Sequence, residues 1–422
     1  MTNEKLGGIL SNCLGFKYYL PYINLCKGAF MNRSPAAHRH HISASHLRAL
    51  LHHSAASIRS FVAKNTVLVI AATLAIISCF FVAPDAEYIG YFDFKTLTCL
   101  FCTLAVICAL KNLRFFTIVA RKIVKTAGNT RTLAISLVYI TFIGSMFLAN
   151  DMALLTFLPL GYISLTATGK DKYMAVIFIL QNIAANLGGM LTPFGNPQNL
   201  YIYTKFDIPT GEFMSVMLIP FVLSILLFTG CCLFIPKESL ELNGADEDKI
   251  NTKRTAFNLI LFVIAILTVF RIVPYYICLP VVLFSVLFTD RDALKKVDYP
   301  LLLTFVSFFL LAGNVSRIDA VNSFFSNLLQ KDALLTSVLS CQIMSNVPSA
   351  ILLSEFTENW RELLVGVNIG GVGTLISSLA SLITFREYTS HVKGKTLQYV
   401  GLFSAFNFGF LIILTAVMMI IR

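Results

Sequence analysis

Charge is scarce in this chain. Asp, Glu, Lys and Arg make up 13% of its 422 residues, about half the share found in an ordinary soluble domain. That scarcity, beside a hydrophobic content of 56%, excludes both a soluble globular protein and a disordered one. Histidine is nearly confined to the start: six of the seven lie before residue 65 and the last is His391. The apolar stretches therefore hold no His/Asp or Ser/His set, which argues against a membrane-embedded enzyme. No Lys or Arg falls within the polar motifs described below. A negative ligand there would meet only hydroxyls, amides and helix dipoles. Nor does a short apolar core with a small-residue cleavage site open the chain, so no secretory signal is expected.

What the chain has in plenty is apolar runs. Several reach the ~20 residues needed to cross a bilayer, among them Phe213 to Ile235 and Thr396 to Ile421. The reading is an all-α polytopic membrane protein. Most of the ten Cys lie inside such runs, where a thiol behaves as a small hydrophobe. Cys99-x-x-Cys102 lacks the soluble βαβ context of a redox motif. The net charge of +11 does not call for nucleic acid, because Lys and Arg collect in cytoplasmic loops.

Four segments follow from this pattern. Residues 1–64 are a basic, His-rich tail, read as a cytoplasmic extension near anionic headgroups rather than a metal-binding arm. Residues 65–235 form a first transmembrane repeat, 236–255 a polar cytoplasmic linker, and 256–422 a second repeat with its leading span. Lys111 to Arg131 carries six basic residues and no acid, and reads as an amphipathic helix at the cytoplasmic interface. This topology has nine spans and two hairpins, and places 26 of the 33 Lys and Arg inside. It also puts the N-terminus in the cytoplasm.

The two halves share a motif. Asn186-Leu-Gly-Gly-Met-Leu-Thr192 and Asn368-Ile-Gly-Gly-Val-Gly-Thr374 each sit in an apolar stretch. Each follows a polar tip, Ala149-Asn150-Asp151 in the first half and Ser345-Asn346-Val347-Pro348 in the second. Such matched breaks mark a transporter with its site at the bilayer midplane. Thr192-Pro193-Phe194-Gly195-Asn196-Pro197-Gln198-Asn199 cannot continue a helix. Aligning the Gly pairs sets Thr192 against Thr374, Asn196 against Ser378 and Asn199 against Ser381. Thr192, Gly195, Asn196, Asn199, Thr374, Ser377 and Ser378 are thus candidate binding residues at the breaks. Asn150, Asp151, Ser345 and Asn346 are the candidates at the tips. The glycines serve either close helix packing or backbone approach to a ligand.

Asp151 stands out, because a carboxylate at membrane depth marks an ion or proton path by default. Its alternative role is to cap the broken helix end. Na⁺ would find oxygen ligands at Asn150, Asp151 and Asn346. No cofactor is expected beyond the coupling ion, Na⁺ or H⁺.

These motifs resemble those of the ion-transporter superfamily of arsenite permeases, NhaD-type Na⁺/H⁺ antiporters and citrate or dicarboxylate carriers. The resemblance covers about residues 65–422 and is strongest to bacterial inner-membrane permeases of the citrate-transporter-like group. It implies two inverted-topology repeats, re-entrant hairpins, broken transmembrane helices and alternating access. The further expectations are a small anionic or oxyacid substrate, a lipid bilayer as surroundings and the bacterial cytoplasmic membrane as location, with the assembly left open to a homodimer. The antiporter and arsenite branches often carry Gly-Asp-Pro where this chain has Gly195-Asn196-Pro197, so one carboxylate is missing. The dicarboxylate branch's Ser-Asn-Thr signature is also incomplete, as Asp151 and Val347 follow the two Asn, so neither branch's substrate carries over whole. The first expectation for function is secondary transport of a carboxylate or oxyanion, with Na⁺/H⁺ antiport through Asp151 as the alternative.

Overall fold

The computed structural model describes residues 61–62, 65–240 and 251–421. The remainder of the tail, with its six His, and the middle of the linker lie outside the described residues. Contacts divide the chain between Thr66 and Val67, and the architecture below is that of the part beginning at Val67. Every regular element among the described residues is a helix; one isolated bridge joins Asn129 to Ser239.

The helices are α1 (Thr66–Ser78), α2 (Phe94–Asn112), α3 (Phe115–Val124), α4 (Thr130–Leu148), α5 (Asn150–Ala167), α6 (Met174–Gly188), α7 (Pro197–Lys205) and α8 (Thr210–Leu233). After the linker come α9 (Thr252–Val269), α10 (Tyr275–Thr289), α11 (Arg291–Lys295), α12 (Tyr299–Ser316) and α13 (Asp319–Lys331). The chain ends in α14 (Ala333–Met344), α15 (Asn346–Leu353), α16 (Trp360–Ile369), α17 (Leu379–His391) and α18 (Thr396–Ile421).

Seven of the described helical segments are long and apolar enough to cross a membrane. This is an all-α polytopic membrane protein. The most hydropathic of these helices are also the least enclosed: α8 and α18 are 33% buried within the protein, against 83% for Asp171–Leu191. Helix α6 therefore runs through the centre, while α8 and α18 turn most of their apolar surface outward, where a bilayer is the compatible solvent.

Several helix starts away from the centre are fixed by side-chain caps. Asp93, Asn129, Asn251, Asp298, Asp332 and Asn359 each accept a backbone N–H of the following first turn, which satisfies donors the helix cannot use itself. Outside the apolar zone, Glu238 binds Lys170, Lys172 and Tyr173, while its own carbonyl accepts Thr130 N–H. It thereby fastens both ends of the α4–α5 pair to the start of the linker. On another loop, Arg317 pairs with Asp85 and holds that carboxyl below its ordinary range.

Candidate functional site at two hairpin tips and two helix breaks

Helices α4 and α5 form an antiparallel hairpin. The Gly144 position faces the ring of Phe157, and the Gly161 position faces Leu137. Helices α14 and α15 do the same, with Ser340 and Ser349 hydroxyls 2.9 Å apart. Each hairpin reverses on one residue. Ala149 has φ 62°, ψ 156° and Ser345 has φ 76°, ψ 161°. That region of backbone space is essentially reserved for Gly and costs of order 1–3 kcal/mol for other residues. The reversal falls one residue before the Asn150 and Asn346 expected at the tips. Those Asn instead open helices α5 and α15.

The two breaks are also built alike. Helix α6 ends at Gly188, passes through a short 3₁₀ turn at Gly189–Leu191 and resumes at Pro197. Helix α16 ends at Ile369 and resumes as α17 at Leu379. The paired glycines divide the work that the sequence left open. A Cβ on Gly188 would strike the Phe142 carbonyl at 2.2 Å, and one on Gly370 would strike Cys341 at 2.8 Å. Both are helix-packing positions. A Cβ on Gly189 would lie 2.5 Å from the Asn196 amide, and one on Gly371 would lie 3.1 Å from Asn346 Nδ2. Those two bring backbone against the polar site.

The resumed helices cross over. Helix α17 packs on α5 and α6 of the other half, and α7 packs on α15 and α16. Amides bind the crossing together. Asn150 Nδ2 donates to Asn186 Oδ1 (3.1 Å) and to Ser378 Oγ (3.3 Å). Asn186 donates to the Asn182 carbonyl (3.1 Å), and Asn182 donates to Ser381 Oγ (3.3 Å) and Asn407 Oδ1 (3.4 Å). On the opposite side Asn368 Nδ2 donates to Asn199 Oδ1 (2.6 Å). Asn199 in turn donates to the carbonyls of Gly189, Met190 and Thr192. Asn346 N–H reaches the Ser377 carbonyl (3.0 Å), and Ser377 Oγ donates to the Gly371 carbonyl (3.0 Å). Thr374 is held by Gln342, whose Oε1 accepts its N–H at 2.9 Å.

The starts of α5, α15 and α17 thus meet, and the first turn of α7 joins the end of α16 through Asn199. Ser378 caps α17 by accepting Ala380 N–H. Helices α5, α7 and α15 have no side-chain cap. The starts of α5 and α7 present free N–H groups and about half a positive charge, whereas at α15 the Asn346 N–H is taken by the Ser377 carbonyl, the Val347 N–H by Asn346 Oδ1, and Pro348 has none. Several polar atoms here are buried without a hydrogen-bond partner: Asp151 Oδ1, Thr192 Oγ1, and both amide atoms of Asn196 and of Gln198. Asn196 and Gln198 are each 1% exposed, and such unmet groups cost free energy unless a ligand or water meets them. Asp151 lies in the first turn of α5 but caps nothing, so the capping role does not hold. Its half-buried carboxylate makes no hydrogen bond to the other candidates.

A family model described as "Citrate transporter" matches residues 56–359. The chain belongs to the citrate transporter family. It is 33% identical over 314 residues to the "Uncharacterized transporter MJ0456" of Methanocaldococcus jannaschii, covering 73% of this chain and 85% of that one. It is 29% identical over 281 residues to the "Inner membrane protein YbiR" of Escherichia coli, covering 64% of this chain and 74% of that one. Family membership and the apolar helices together make the chain a membrane secondary transporter, resident in a lipid bilayer.

Within this family member, sequence reasoning missed three contributors to the site. Asn182 lies one turn before Asn186 on the same face, and a buried amide pair at i, i+4 in an apolar helix was the signal for it. Gln198 lay inside a noted motif but was not singled out. Gln342 donates to the Gly370 and Val372 carbonyls and fixes the shape of the second break. It reaches that break from another helix, so no local pattern announces it. Na⁺ takes oxygen ligands, and the unmet oxygens of Asp151, Thr192, Asn196 and Gln198 are of that kind.

Proposed function

We propose that this protein moves a small carboxylate or oxyanion across a bacterial cytoplasmic membrane, coupled to Na⁺ or H⁺, by alternating access. Citrate, from the family's name, is the first compound to test. One observation carries the reading: three helix starts meet between two hairpin tips, with unmet amides beside them and no Lys or Arg. Helix starts and amides hold an anion's oxygens without a fixed positive charge, so the loaded site can move through an apolar barrier. Asp151 carries the coupling cation or proton. The order span, amphipathic helix, hairpin, broken helix, long helix recurs from α2 to α8 and from α12 to α18, which supports two inverted repeats. The basic loops support hairpins that enter from opposite faces and an N-terminus in the cytoplasm.

A second reading rests on the unbonded Asp151 oxygen alone: exchange of Na⁺ for H⁺ with no anion. Proteoliposomes separate the two. Labelled citrate, dicarboxylates and oxyanions are offered under an imposed Na⁺ or H⁺ gradient. Gradient-driven accumulation of one of them supports the carrier. Cation exchange with every anion excluded overturns it.

A further inference from the structure

A second polar feature lies away from the hairpin tips. A cleft of about 240 Å³ opens between the end of α2, the amphipathic helix α3 and the return arm α5. Lys111 and Arg121 supply two positive charges to its lining, and Leu155, Pro159 and Ile163 supply apolar wall. Leu155 and Ile163 are 49% and 58% exposed, so the wall is continuous with the surface that faces lipid. Pro159 lies inside α5 and has no N–H, which leaves the Leu155 carbonyl without its helical partner. Lys111 is half-buried and has no hydrogen-bond or ion-pair partner among the described residues. An unpaired cation in an apolar setting is costly, and an anion relieves that cost.

We infer that this cleft binds an anionic phospholipid, with its phosphate between Lys111 and Arg121 and one acyl chain against Leu155 and Ile163. Charge complementarity selects the headgroup, and the exposed apolar wall selects a lipid over a soluble anion. Basic pockets between membrane helices have this chemistry. A lipid seated there touches α3 and α5 at once, and so ties the return arm of the first hairpin to the amphipathic helix beside it.

The test uses the full chain, stripped of lipid in neutral detergent and titrated while native mass spectrometry counts bound molecules. Phosphatidylglycerol, phosphatidylethanolamine, glycerol 3-phosphate and citrate are the four probes. Wild type should prefer phosphatidylglycerol to phosphatidylethanolamine, and Lys111→Ala/Arg121→Ala should lose roughly thirty-fold of that affinity. Lys111→Arg should retain it. Equal binding of both lipids, or an unchanged preference in the double variant, overturns the proposal. Occupancy of the cleft by glycerol 3-phosphate or citrate at matching concentration also overturns it and assigns the cleft to soluble anions. If the double variant does not fold, the four-probe comparison on wild type decides alone.

Discussion

Replacing Ala149 with Gly should stabilise the protein, against the usual direction of such a change. At φ 62°, ψ 156° an Ala side chain costs about 1–3 kcal/mol relative to an unstrained residue. Gly removes that cost and adds about 0.5–1 kcal/mol of chain entropy in the unfolded state. The difference is a gain of up to about 2.5 kcal/mol. Ser345→Gly should behave alike, less the weak bond its hydroxyl gives to Asn346 Oδ1 (3.3 Å). Ala153→Gly is the control: that residue is fully buried in the regular part of α5 and should lose about 1 kcal/mol or more. Denaturant midpoints of the three variants in one detergent give the comparison. If Ala149→Gly and Ala153→Gly shift stability in the same direction, the tip is not strained and the reasoning fails.

Other outcomes follow from the same geometry. Glu238 is held down to about 2 by Lys170, Lys172 and Tyr173. A lowered pKa stabilises above the unfolded value near 4.5 and loses that effect as pH falls toward 2. The melting difference between wild type and Glu238→Gln should therefore be largest at neutral pH and shrink over that interval; a gap that widens on acidification contradicts the clamp. Gly195→Ala would drive a Cβ to 2.3 Å from the Gly189 carbonyl and should cost about 1–3 kcal/mol, whereas Gly90→Ala, with open space around it, should be neutral in the same melt. Asn150→Ala removes the bonds to Asn186 and Ser378 and should weaken substrate binding at least tenfold in an uptake titration; a binding curve that does not move would take Asn150 out of the site.

Much of this arrangement was legible in the sequence because membranes leave so few choices. Every apolar run had to become a helix, and polar Gly-rich segments inside such runs had to become breaks. The segment from Lys111 to Arg131 yielded α3, since its charges and apolar residues already alternated with a helical period. The exact reversal points were not legible. Strained tips on Gly would have been visible, but Ala149 and Ser345 carry no such mark, and tertiary packing alone holds them there. The roles of Gly188 and Gly189 were likewise inseparable in sequence, because one faces a neighbouring helix and the next faces an amide. The crossing of α7 and α17 into opposite halves, and the reach of Gln342 to the second break, depend on contacts far apart in the chain.

The most direct test of the central claim follows proton and labelled Na⁺ movement together in everted membrane vesicles, wild type against Asp151→Asn. Na⁺ is added first, alone, and citrate or another carboxylate after it. An anion carrier coupled through Asp151 gives no signal with the cation alone, a signal once the transported anion arrives, and none in the variant. A full Asp151-dependent signal on Na⁺ alone, unchanged by any anion, would contradict the account and make the protein a cation antiporter.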